Sequence, residues 1–80
     1  MDIKILGPGC NKCILLYNIT SQTIQELGLS ANIEKIEDYG QIASYGIMST
    51  PALVIDGVVA FSGRVPPANF IRGLIQAARA

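Results

Sequence analysis

Gly7-Pro8-Gly9-Cys10-Asn11-Lys12-Cys13 holds the two cysteines of this chain, three positions apart. Before it, Asp2-Ile3-Lys4-Ile5-Leu6 is short, rich in β-branched residues and closed by a glycine, which is a strand pattern. After it the period changes. Cys13, Leu16, Tyr17, Thr20, Ile24 and Leu27 recur at helical spacing, while Asn11, Asn18, Gln22 and Gln25 fall on the opposite face. The stretch therefore places a pair of thiols between a strand and the first turn of an amphipathic helix. A dithiol in that position is suited to opening and closing a disulfide, and the rest of the chain reads as its scaffold.

Downstream, Gly28 stands where a helix cap is needed, with Leu29 placed to fold back on the last turn. Ala31 to Ile36 alternates weakly and carries Glu34 and Lys35, as suits a strand at a sheet edge. Strand, helix and strand in this order predict a parallel crossover unit, with the first strand inside the sheet. Asp38 predicts the cap of a short helix over Tyr39 to Tyr45, with Ile42 and Tyr45 inward and Gly46 as its stop. Ala52-Leu53-Val54-Ile55 and Val58-Val59-Ala60-Phe61 flank Asp56-Gly57, a two-residue hairpin signal. Both runs are apolar and call for helices on at least one face. Gly63 to Pro66 is a loop and Pro67 suits a first helical turn. Phe70, Ile71, Leu74, Ile75 and Ala78 then mark a buried stripe, with Arg72 and Arg79 off it. The expected fold is α/β, in the order β-α-β-α-β-β-α. It is one domain over residues 1–80: a four-stranded mixed sheet with helices on its faces.

Composition narrows the function classes. The chain has 80 residues, half of them apolar, and six basic residues balance six acidic ones. Neither sign runs in a block, so nothing points to nucleic acid or an anionic membrane surface. No apolar run reaches the ~20 residues of a membrane span, and no basic, apolar leader opens the sequence. Cytoplasmic residence is the default expectation. Two cysteines are too few for a secreted disulfide scaffold, and in a reducing compartment a close pair is catalytic or metal-binding more often than structural.

The chemistry follows from position. Thiol–disulfide exchange needs an attacking thiolate and a second sulfur to release the partner. A helix start presents unpaired N–H groups and a partial positive charge, and Lys12 adds to it; both lower a thiol pKa. Cys10 is therefore assigned as the exposed nucleophile. Cys13, one turn on and first in the buried stripe, is assigned as the resolving thiol. Two cysteines merely packed under a loop is the bland alternative; the Gly-Pro-Gly turn at a helix start argues against it. A second feature is Met48-Ser49-Thr50-Pro51-Ala52. A proline just before an interior strand lacks the ladder N–H, and a cis Thr50-Pro51 bond would account for it.

The strand, the Cys-X-X-Cys helix start, then Ser49-Thr50-Pro51-Ala52-Leu53-Val54-Ile55-Asp56-Gly57 and a last helix together resemble the thioredoxin-like superfamily. The resemblance is to its very small, glutaredoxin-sized members, the redox-active disulfide proteins, and it covers nearly the whole chain. It implies a thiol–disulfide oxidoreductase acting in electron transport, whose redox centre is an intrachain Cys10–Cys13 disulfide with no further cofactor. It implies that Pro51 is a cis-proline facing the disulfide and keeping competing ligands away, and that Thr50 pairs its backbone with an extended substrate. Partners would be a disulfide-bearing protein and an upstream reductase. Pro8, Ile14, Met48, Val65 and Pro66 are candidates for an apolar docking ring, with Met48, Thr50 and Pro8 the substrate-binding set. The sequence also departs from the family. Gly9-Cys10-Asn11-Lys12-Cys13 stands where the family has Trp-Cys-Gly-Pro-Cys, and the strand before the site offers no buried acid, Asp2 lying too early. The extra N-terminal strand and helix of full thioredoxins are absent, and Lys12 and Arg64 alone draw no glutathione pocket. Arg64 reads as a solvated loop charge or an anion contact, and Tyr17, Tyr39 and Tyr45 read as core or half-buried. The competing reading is a soft-metal carrier holding Cu(I) or Zn through the same pair. Such carriers also place Cys-X-X-Cys after a first strand, but in a different element order, and zinc would need two chains to supply four thiolates.

Overall fold

The computed structural model of the chain describes residues 1–79. The order is β1 (Asp2–Leu6), α1 (Asn11–Leu27), β2 (Asn32–Ile36), α2 (Tyr39–Ser44), β3 (Ala52–Ile55), β4 (Val58–Ser62) and α3 (Ala68–Arg79). The sheet runs β2-β1-β3-β4. β1 pairs parallel with β2 and antiparallel with β3, and β3 pairs antiparallel with β4. The two central strands are the two most buried, as their apolar content requires. Within β1, Asp2 is exposed and Lys4 is half-buried beside Tyr45.

Alternation along the strands divides the core in two. Ile3, Ile5, Leu53, Ile55 and Phe61 pack with Leu16 and Ile24 of α1 and Ile71 and Ile75 of α3. Leu6, Ala52 and Val54, with Ile36 of β2, pack with Ile42 of α2. Helices α1 and α3 therefore share one sheet face and α2 covers the other. Fully burying one such side chain contributes roughly 1.5–3 kcal/mol.

Local chemistry sets the ends. Gly28 is the left-handed cap of α1, and Leu29 N–H returns to Ile24 O at 3.1 Å, closing the last turn as expected. Asp38 caps α2 by accepting from Gln41 N–H at 2.9 Å. In the hairpin, Asp56 and Gly57 both adopt positive φ, 49° and 83°, the pairing that a tight Asp-Gly turn needs. Asp56 does more than turn the chain. Its carboxylate accepts from Asp2 N–H at 2.8 Å and its own N–H donates to Asp2 O at 2.7 Å, tying the hairpin to the start of β1.

Several expectations are corrected. The second strand starts at Asn32 rather than Ala31, and β4 runs one residue further, to Ser62. α2 stops at Ser44, with Tyr45 as its cap rather than its last turn. Pro67 lies just before α3, its carbonyl accepting from Ile71 N–H. Tyr39, expected in or beside the core, is 72% exposed, because α2 is only six residues long and Ile42 alone fills its inward side. Phe70 is 44% exposed rather than buried, with the Arg64 guanidinium over its ring at 5.3 Å. Ala78 is also exposed, and the side chain of Arg79 lies outside the described part. Thr23, unassigned in the sequence, is buried in α1 with its hydroxyl donating to Ile19 O at 2.8 Å.

Candidate redox site

β1 delivers the chain to the site and then stops. Gly7 N–H donates to Ile36 O at 2.9 Å, extending the β1–β2 pairing by one bond. Pro8 and Gly9 carry the chain away from the sheet, both exposed, and α1 begins at Asn11. Cys10 is the N-cap. Its backbone is extended, its carbonyl accepts from Ile14 N–H, and its sulfur accepts from Cys13 N–H at 3.2 Å. A thiolate at Cys10 would thus receive one of the unpaired donors of the helix start.

A disulfide joins Cys10 and Cys13, whose Cα atoms are 5.0 Å apart. The two sulfurs differ sharply in access. Cys10 is exposed, while Cys13 is 5% exposed and sits beneath the loop. Its seat is the backbone of Gly7: a Cβ at that position would run into Cys13 Sγ. The same Cβ would lie 3.8 Å from the Cβ of Thr50, so Gly7 stands between the buried sulfur and the Thr50 loop. The Thr50–Pro51 peptide bond is cis. Pro51 is buried, and its carbonyl accepts from Gly63 N–H at 2.9 Å, fixing the strand entry to the loop after β4.

Of the proposed docking ring, Pro8, Ile14 and Met48 are exposed, Met48 completely so. Val65 is half-buried. Pro66 is buried and drops out of any exposed ring. Met48 and Thr50 line a hollow on the α2 side with Tyr39, Ile42 and Ile47, and Pro8 is not part of its lining. A separate cavity of about 170 Å³ lies against the buried sulfur, lined by Ile5, Gly7, Gly9, Cys13, Ile14, Lys35 and Glu37.

Glu37 escaped the sequence reading. β1 itself carries no acid in reach of the site, Asp2 lying too early. The register supplies the group from the next strand. Lys35 lies opposite Ile5 and Ile36 opposite Leu6. One residue further, Glu37 returns to the Ile5 face, beside the loop. A Cβ on Gly9 would lie 2.9 Å from its Oε2. Period-two alternation continued past Ile36 was the available signal.

A disulfide capping a helix, next to a cis-proline loop on a four-stranded mixed sheet, defines a thioredoxin-like redox protein. The chain belongs to the thioredoxin domain family, whose model matches residues 1–76. It is 35% identical over 76 residues to a thioredoxin of Methanothermobacter thermautotrophicus, spanning 95% of this chain and 99% of that protein. It is 36% identical over 70 residues to a thioredoxin of Methanocaldococcus jannaschii, spanning 88% of this chain and 80% of that one. Among the described residues no helix is long and apolar enough to cross a membrane.

Proposed function

We propose that the chain works as one domain that reduces or exchanges protein disulfides through Cys10 and Cys13. The observation that carries this is the asymmetry of the pair: one sulfur exposed and capping a helix, the other buried one turn later. Cys10 thiolate attacks one sulfur of a partner disulfide. The partner's S–S bond breaks, and its leaving thiolate takes a proton. Cys13, deprotonated, then attacks Cys10 Sγ; the mixed disulfide breaks and the second partner thiolate leaves. The partner has gained two electrons and, after protonation, two hydrogens, and the chain is left oxidised. An upstream reductase returns it to the dithiol.

Pro51 and Thr50 form the wall beside the buried sulfur, and the Thr50 backbone pairs with an extended substrate. Met48 and Pro8 supply exposed apolar contact on either side. The supporting observations are the place of Gly7 between Cys13 and Thr50 and the exposure of Met48 and Pro8. No group beyond the two sulfurs is needed as redox centre.

The test has two arms. Insulin disulfide reduction with dithiothreitol as electron source should accelerate on adding the protein, and Cys10→Ser should abolish the effect. Cys13→Ser should leave a covalent adduct at Cys10, recoverable from extract. Stoichiometric zinc or Cu(I) uptake without any exchange activity would instead support the metal-carrier reading. Among the described residues no third His, Cys, Asp or Glu gathers with the two sulfurs; two thiolates can hold Cu(I) by themselves, while a four-thiolate zinc would be shared by two chains.

A further inference from the structure

We propose that Glu37 is the charge that sets the poise of the Cys10–Cys13 pair, favouring the disulfide over the dithiol and so directing electrons outward to partner proteins. This rests on the exchange reading above and adds the direction of flow.

From α1 come the helix start and Lys12, both of which favour a thiolate at Cys10. From β2 come Lys35 and Glu37, which line the cavity against Cys13. From the β3 side comes the uncharged Thr50–Pro51 loop. Lys35 does not neutralise its neighbour: its ammonium sits over the Tyr17 ring of α1, 4.5 Å from the centroid. Among the described residues the one ion pair joins Arg72 and Glu26 at 2.7 Å, remote in sequence from the site. Glu37 therefore stands unpaired over the Gly9 backbone, immediately before Cys10 and on the cavity that reaches Cys13.

The sign follows from Coulomb's law. Reduction converts a neutral disulfide into a dithiol that carries thiolate charge near neutral pH. A carboxylate alongside disfavours that charge and leaves the neutral disulfide untouched. The dithiol is thus the strained partner of the equilibrium, and the pair gives up its two electrons more readily. Glu37 acts against the helix start, which alone would stabilise the thiolate and make the pair an oxidant. Glu37 is exposed, so water and salt screen part of this effect. Glu37 touches no reacting atom, and its role is electrostatic.

The experiment equilibrates wild type and variants with graded ratios of reduced to oxidised dithiothreitol and reads the reduced fraction. Glu37→Gln should raise the ratio of dithiol to disulfide about three- to tenfold, the upper end being ~30 mV for a two-electron couple. Glu37→Lys should move it further the same way, and Glu37→Asp should stay near wild type. The Glu37→Gln shift should shrink at high salt. Cys10 should also react with iodoacetamide at lower pH in Glu37→Gln. A ratio unchanged in both Gln and Lys variants, or lowered, overturns the proposal. An equal shift in all three variants does so too, because it reports altered packing and not charge. Insulin reduction by wild type separates this outcome from the exchange reading. That assay failing with the ratios shifting sinks the reading alone; the assay succeeding with flat ratios sinks Glu37 alone.

Discussion

Gly7 has no side chain because a sulfur occupies the space one would need. A Cβ there runs into Cys13 Sγ, so any other residue must push the buried cysteine away from its seat. Overpacking of this kind costs about 1–3 kcal/mol. Gly7→Ala should lose that much stability in urea unfolding, and the loss should fall below ~1 kcal/mol when made in Cys13→Ala, where the sulfur is gone. Equal losses in both backgrounds would mean that the sulfur is not the obstacle. Glu37 belongs to the same scale. Its place was written in the chain as the second residue after Lys35, and the crossover unit put its strand in one sheet with β1, but only the register brought it to the Gly9 loop.

At the scale of elements, α1 is held at both ends by groups the sequence displays openly, the Cys10 sulfur and the Gly28–Leu29 turn. β1 is held less visibly. Its first residue exchanges two hydrogen bonds with Asp56, far away in the chain. Asp56→Ala removes the side-chain acceptor and should cost about 1 kcal/mol, read as a lower urea midpoint with an unchanged slope. Lys4, the charge inside β1, has its pKa raised above the ordinary 10.5, first by the Tyr45 phenol hydrogen-bonded to it and by that group's charge. A group raised on folding contributes stability that is present below its unfolded pKa and lost as pH rises through the folded one. The stability gap between wild type and Tyr45→Phe should therefore hold steady through neutral pH and narrow above about 10.5. A gap that persists into strong alkali would assign Tyr45 a packing role only.

For the molecule as a whole, two clusters on opposite faces of one sheet divide the labour. The larger one, under α1 and α3, carries the bulk of the apolar burial. The smaller one, under α2, closes the face along which the Thr50–Pro51 turn enters β3. Ile71→Ala on α3, fully buried in the larger cluster, should cost about 2–5 kcal/mol, a large share of the roughly 5–15 kcal/mol that holds a domain folded. It should do so in the oxidised and reduced protein alike, leaving the dithiol to disulfide ratio where it was. A ratio that moved with Ile71 would tie the redox pair to global packing and not to its immediate walls.

Sequence periodicity determined the elements, their order and the thiol pair at the helix start, because period, caps and turns are local and each is set by a few neighbouring residues. The same local reasoning put Phe70 inside and Tyr39 in the core or half-buried, since an apolar residue looks alike whether or not a partner surface waits for it. Only the tertiary structure decided which spacings met a surface. The inward side of α2 is filled by Ile42, so Tyr39 stays outside, while Phe70 lies out under the Arg64 guanidinium. The register, too, was a tertiary outcome: the pairing of β2 with β1 carries Glu37 to the Gly9 loop and the cavity against Cys13. Charges act through space, and space between distant residues is fixed by packing, which no local pattern records.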